Sequence, residues 1–143
     1  EVWGEGALGG WRAHLEYADT TCSFTRQRPQ VDCAYRNSVY PQGYTYRGRV
    51  IGHPLDNDGR TLSLGALWVR PSGDSWSLLL RRIEPNRLGQ TPDTAHAISP
   101  SPAKVEDFQL GYARGRLRVG AGHVTSGIAA SGWHGYLEWR QPL

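Results

Sequence analysis

The sequence predicts an all-β protein, part of an antiparallel transmembrane β-barrel, and three observations predict it. Seven stretches alternate apolar and polar residues with the period of two that puts successive side chains on opposite faces of a strand. The polar side of nearly every stretch carries arginine, histidine or an acid, while aromatic residues gather near the strand ends; this suits lipid outside and a wet, charged lumen. The composition has 18 glycines, 6 tryptophans and 7 tyrosines, which favours strands, turns and amphipathic anchors. A soluble sheet can alternate in the same way with its apolar face inward, so the aromatics and charges decide the reading.

The first strand covers residues 10–19, with Trp11, Ala13, Leu15 and Tyr17 on one face and Arg12, His14 and Glu16 on the other. A polar, aromatic connection follows to residue 42. The second strand is expected over residues 44–52, setting Tyr44, Tyr46, Gly48 and Val50 against Thr45, Arg47 and Arg49. The run Pro54-Leu55-Asp56-Asn57-Asp58-Gly59 is a turn. The third strand places Leu62, Leu64, Ala66 and Trp68 opposite Thr61, Ser63 and Gly65, and Pro71-Ser72-Gly73-Asp74 is a short hairpin turn of the periplasmic kind. The fourth sets Trp76, Leu78 and Leu80 against Ser75, Ser77 and Arg81.

Residues 84–103 hold four prolines and read as a long loop of the kind that is usually functional. The fifth strand, residues 105–113, has Phe108, Leu110 and Tyr112 opposite Asp107, Gln109 and Gly111, and Arg114-Gly115 is a tight turn. The sixth places Leu117, Val119 and Ala121 opposite Arg116 and Arg118. In the seventh, Trp133, Gly135, Leu137 and Trp139 face away from His134, Glu138 and Arg140. No helix is predicted. Strands of this length cross a bilayer at a tilt. Bacterial single-chain barrels have an even number of strands, at least eight, so residues 1–143 are expected to form the C-terminal part of one larger barrel domain.

A mean hydropathy of −0.54 and the lack of any run of about 18 apolar residues exclude a helical membrane protein. They leave a barrel open, since half of each barrel strand is polar. Net charge is +3 and 15 of 16 basic residues are arginine, Lys104 being the exception. The arginines are spread at strand spacing rather than gathered on one patch, so a nucleic-acid partner is not expected. Lacking any methionine and any signal-peptide pattern, the chain is expected to be a processed or truncated product.

Cys22 and Cys33 are the only cysteines. A metal site would need two more ligands nearby, and no histidine is close in sequence, so no metal or other cofactor is expected. A disulfide clipping this loop is preferred over two free thiols; it would contribute roughly 3 kcal/mol and implies an oxidising compartment. Gly4-Glu5-Gly6-Ala7-Leu8-Gly9 matches a dinucleotide-binding glycine pattern but lacks the flanking strand and helix. Asp56-Asn57-Asp58-Gly59 is similar to the start of a calcium loop, yet Leu67 stands where the closing glutamate belongs. No nucleophile elbow or other local catalytic signature occurs, so no catalytic residue is assigned.

Inward arginines such as Arg12 and Arg140 are expected to pair with Glu16 and Glu138 in a rigidifying lattice, or alternatively to attract acidic sugars. Tyr35, Tyr40 and Tyr44 have two readings, as sugar-stacking rings in extracellular loops or as interfacial belt residues; the belt is favoured for Tyr44 and Tyr46.

The acidic-aromatic run Glu16-Tyr17-Ala18-Asp19-Thr20 precedes the two-cysteine loop. After that loop comes Val39-Tyr40-Pro41-Gln42-Gly43-Tyr44-Thr45-Tyr46-Arg47-Gly48-Arg49-Val50-Ile51-Gly52-His53. Together they resemble the Wzi family of capsule assembly proteins. Asp58 followed by Ser63-Leu64-Gly65, and the ending Gly135-Tyr136-Leu137-Glu138-Trp139-Arg140, add to the resemblance, of which residues 40–53 are the specific part. The resemblance implies an outer-membrane barrel of a Gram-negative bacterium with about 18 strands, more than half of it outside this chain. It also implies a monomer in outer-membrane lipid that attaches capsular polysaccharide or exopolysaccharide to the cell surface as a lectin rather than an enzyme. Contact residues expected on that reading are Tyr35, Arg36, Tyr40, Arg47 and Arg49, with arginines pairing to uronates and tyrosines stacking on sugar rings.

The competitors make distinct forecasts. A soluble β-sandwich or lipocalin-like module requires Trp11, Trp68, Trp76, Trp133 and Trp139 to be buried. An enzyme would depend on His14, His53 or His134, and a porin would conduct ions.

Overall fold

The structure, a computed structural model, describes residues 1–22, 27, 39, 45–46, 49–50, 53–55, 58–87, 89, 99 and 101–141. Its strands are β1 (Val2–Gly6), β2 (Gly9–Asp19), β3 (Thr45–Tyr46), β4 (Arg49–Val50), β5 (Gly59–Val69), β6 (Asp74–Pro85), β7 (Val105–Arg114), β8 (Leu117–Ser126) and β9 (Gly132–Trp139). Seven form one sheet in the order β1-β2-β5-β6-β7-β8-β9, and β3 and β4 form a separate pair. Every pairing with a described register is antiparallel. Apart from the excursion that carries β3 and β4, neighbours in the sheet are neighbours in sequence, the order of a meander.

Two expectations are corrected. Residues 44–52 are expected as one crossing strand; the described residues among them form β3 and β4, which pair with each other through Thr45↔Val50 and Tyr46↔Arg49. Two residues of alternation on each of two paired strands look the same in sequence as one continuous strand. The seventh strand of the sheet is instead β1, whose five residues, Val2-Trp3-Gly4-Glu5-Gly6, include two glycines and carry too little alternation to be read. The β7–β8 connection occupies residues 115–116 and the β5–β6 turn residues 70–73. Gly115 (φ 57°) and Gly73 (φ 82°) take the left-handed backbone that other residues rarely adopt. Hydrogen bonds from the Gly73 amide to the Arg70 carbonyl (2.9 Å) and from the Arg70 amide to the Asp74 carbonyl (2.8 Å) close the second turn.

The chain divides into two compact units, Glu1–Glu16 with Leu62–Arg82 and Val105–Leu143, and Tyr17–Thr61 with Ile83–Lys104. In the first, the register fixes two faces. Phe108, His123 and Trp133 stand side by side, as do Tyr112, Val119 and Leu137. On the opposite face lie the rows Gln109–Gly122–His134, Gly111–Gly120–Tyr136 and Ala113–Arg118–Glu138. The Trp76 and Tyr112 rings meet at 4.8 Å between centroids, which extends the apolar face onto β6.

That apolar face is uncovered. Trp11, Trp68, Trp76, Trp133 and Trp139 are 48%, 40%, 40%, 77% and 62% exposed, contrary to the soluble-module forecast. Among the described residues the one buried hydrophobic side chain of the core is Leu55, in the second unit. A contiguous apolar patch of this kind marks a surface that contacts lipid or another protein.

The second unit is held by polar contacts. Thr20 and Gly59 exchange hydrogen bonds, and the Arg60 guanidinium donates to Glu84 from Nε at 3.1 Å and also from Nη2. Arg87 donates from its amide to the Asp58 carbonyl (3.1 Å) and from Nη1 to Asp19 Oδ2 (3.3 Å). Cys22 is disulfide-bonded; Cys33 lies outside the described residues.

Candidate functional site

Four of the five expected contact residues, Tyr35, Arg36, Tyr40 and Arg47, lie outside the described residues. Of Arg49 the structure describes the backbone, paired in β4 opposite Tyr46. The calcium-like segment contributes Asp58 and Gly59 to the described residues, and these residues contain no cluster of three or more His, Cys, Asp or Glu placed to hold a metal.

The described polar face offers a second candidate that sequence reasoning missed. Tyr136 of β9 stands opposite Gly120 of β8, which stands opposite Gly111 of β7. A β-carbon on Gly120 would lie 2.7 Å from the Tyr136 Cζ, and one on Gly111 would lie 3.4 Å from its hydroxyl. The Cε1–Cζ–hydroxyl edge of the ring therefore lies over the bare backbone of Gly120 and its hydroxyl reaches toward Gly111, which Ser77 also overlies. His134 does the same on Gly122, where a β-carbon would fall 2.6 Å from its Nε2. On the first strands His14 lies on Gly65, with 2.5 Å from that imaginary β-carbon to Nε2. Glycine within a strand commonly marks such close approach. Gly111, Gly120 and Gly122 were thus a signal, though an unreadable one without the register.

Two shallow depressions flank the Tyr136 ring. One, of about 140 Å³, is walled by Ser77, Gln109, His134 and Tyr136 among others. The other, of about 220 Å³, includes Ser75, Ser77, Arg118 and Tyr136. Arg140 donates from Nε to Glu138 Oε1 at 2.7 Å, and Arg118 stands directly across from the same acid. The expected pairing of Arg140 with Glu138 is present; Arg12 meets Glu1 at 2.7 Å. These groups hydrogen-bond and carry charge. His134, Tyr136, Ser77 and Gln109 do not form a nucleophile–base–orienter chain among the described hydrogen bonds.

The apolar face carries a wider groove of about 460 Å³ lined by Leu15, Leu62, Leu64, Leu80 and Phe108, with Arg82, Glu106, His123 and Thr125 toward one end. No helix of the described residues is long and apolar enough to cross a membrane, a statement that does not bear on crossing by strands.

Comparison with known proteins places this geometry. Among solved structures, one matches with a TM-score of 0.56 and 20% identity over 93% of this chain: Wzi of Escherichia coli, described as an outer membrane protein involved in group 1 capsule assembly and a carbohydrate-binding β-barrel. The present chain spans about 30% of that protein's length. Its seven-stranded sheet thus has the fold of a portion of that barrel. No curated protein matches the chain. The family described as capsule assembly protein Wzi matches residues 6–140, and the chain belongs to that family.

Proposed function

We propose that this chain is the C-terminal part of a single outer-membrane β-barrel domain that holds capsular or related polysaccharide at the cell surface by noncovalent, lectin-like binding. The observation that carries the reading is the sorting of the two sheet faces. The exposed apolar face suits the lipid of the outer membrane, and the opposite face presents arginines, histidines and tyrosine to water. Trp11, Trp68, Trp76, Tyr112 and Trp139 lie within two residues of the strand ends joined by short connections or, for Trp139, at the equivalent end of β9. Tyr17 and Trp133 lie near the other ends, so aromatic girdles flank an apolar band. On β9 the two girdle positions are separated by a rise of roughly 20 Å along the strand. Short connections mark the periplasmic side and the long ones, residues 20–58 and 86–104, the cell exterior.

On this reading the exterior connections carry Tyr35, Arg36, Tyr40, Arg47 and Arg49 toward the polysaccharide, with many weak contacts adding along a repeating chain. The name of the Escherichia coli relative supports carbohydrate as the ligand, and the resemblance of residues 135–140 to the family's last strand supports the C-terminal placement. Binding is to polysaccharide and lipid by a monomer, without nucleic acid and without turnover.

The test uses the full-length protein in detergent. A barrel migrates anomalously on gels until boiled, and the folded form should retain capsular polysaccharide of its own strain on a filter. A water-soluble protein with no heat shift would overturn the barrel reading, and a heat-shifting protein that retains no polysaccharide would overturn the lectin reading.

A further inference from the structure

We infer that the polar wall formed by β6–β9 carries a saccharide subsite of its own, with Tyr136 as the stacking platform and Arg118 as the selector of acidic sugar residues. This deepens the polysaccharide-binding reading and rests on it. The site differs from the connection residues assigned above.

Three features converge on one strip of wall. First, Tyr136 is 56% exposed although the Cε1–Cζ–hydroxyl edge of its ring rests over the backbone of Gly120. The open side is a flat π-face against which the C–H edges of a sugar ring can pack. A ring held down by the wall also loses little freedom when a ligand arrives, so ordering it costs little.

Second, the two depressions share the Tyr136 ring as a wall, and each is smaller than the roughly 300–1,000 Å³ of an enclosing small-molecule site. That size fits a chain laid along the wall, with successive residues settling on either side of the ring. Ser77, Gln109 and His134 supply hydroxyl, amide and imidazole groups on one side; Ser75 and Arg118 supply theirs on the other. Mixed donors and acceptors around an aromatic plane match the alternating C–H and O–H faces of a pyranose.

Third, the charge has a sign. Arg118 and Arg140 set two guanidiniums around the single carboxylate of Glu138, and Glu138 is already engaged by Arg140. The surplus positive charge favours a sugar bearing a carboxylate, which the planar guanidinium of Arg118 meets with two parallel N–H donors.

A ring packed on glycines can also serve the wall alone, so the test separates packing from binding. Full-length protein in detergent is titrated with oligogalacturonate, a uronic-acid chain, and with a neutral malto-oligosaccharide of equal length. Oligogalacturonate is expected to bind more tightly. Arg118→Gln should weaken it by about tenfold or more and weaken the neutral chain by much less. Tyr136→Leu should weaken both chains, and Tyr136→Phe, which keeps the ring, should restore both. Each variant is checked for the heat shift of the folded barrel; should Tyr136→Leu fail to fold, Arg118→Gln and Tyr136→Phe carry the decision. Unchanged oligogalacturonate affinity in Arg118→Gln overturns the subsite. Wild-type protein that retains capsular polysaccharide but binds neither oligosaccharide overturns the subsite alone, whereas loss of capsular retention as well overturns the polysaccharide reading itself.

Discussion

Thr20 and Gly59 are joined by three hydrogen bonds across an excursion of 39 residues. The Thr20 amide donates to the Gly59 carbonyl at 2.9 Å, the Thr20 hydroxyl donates to the same oxygen at 3.2 Å, and the Gly59 amide donates to that hydroxyl at 2.9 Å. Both residues are buried. The pair clasps the two roots of the long connection between β2 and β5, where the Wzi-like motif of residues 40–53 resides. Thr20→Val keeps the shape and removes both hydroxyl bonds, leaving a buried amide without its acceptor, a loss of about 1–3 kcal/mol. Limited proteolysis should show faster cleavage within residues 21–58 in this variant, with the barrel's heat shift kept.

Glycine 65 tests whether the ring-on-glycine packing holds the wall. A β-carbon there would collide with the His14 ring, so Gly65→Ala should lower stability by about 1–3 kcal/mol, read as a lower urea midpoint. His14→Ala in the same chain should recover most of that loss, because the collision partner is gone. Equal destabilisation in the single and double variants would mean the two side chains do not share this space.

These contacts show where the sequence was readable. Alternation placed β2, β5, β6, β7, β8 and β9 because each has long period-two runs, and Trp11, Leu64 or Leu110 could be assigned a face without knowing their neighbours. Which strand residue meets which was not readable, because register depends on turns and pairing rather than on periodicity. Tyr136 therefore looked like any strand tyrosine until Gly120 and Gly111 were seen beneath it. Tyr35, Arg36 and Tyr40 are harder still, since the sequence around them has no period from which a face can be inferred.

Asp19 ends β2 beyond the Tyr17 girdle position, outside the membrane-spanning band. Burial raises its carboxyl pKa, but hydrogen bonds from the Thr21 hydroxyl and amide and from the Tyr17 hydroxyl, with the charge of Arg87, outweigh this and hold it below the usual carboxylate value. A folded carboxyl that is depressed stabilises the protein above its unfolded pKa of about 3.9, and that stability disappears as pH falls through the folded value. Acid titration of the second unit, followed by proteolysis of the 21–58 connection, should therefore show protection lost below about pH 4. Asp19→Asn should be less protected at neutral pH, with a flatter acid limb.

Neighbouring positions on β7 separate the faces by energy. Leu110 sits in mid-strand on the apolar face, and Gln109 points the other way. Leu110→Arg should destabilise the folded barrel in lipid by about 2–4 kcal/mol, the cost of arginine near a bilayer midplane. Gln109→Arg should change stability little, since that side faces water. Urea titration in lipid vesicles reads both.

The most direct measurement places nitroxide labels one at a time at Leu110 and at Gln109 of the full-length protein in outer-membrane vesicles. Collision rates with oxygen and with a water-soluble nickel complex are then compared at each site. The label at Leu110 is expected to meet oxygen and be shielded from nickel, while the label at Gln109 is expected to meet nickel. Nickel access at both positions, or at Leu110 alone, would contradict a sheet whose tryptophan-bearing face lies against lipid.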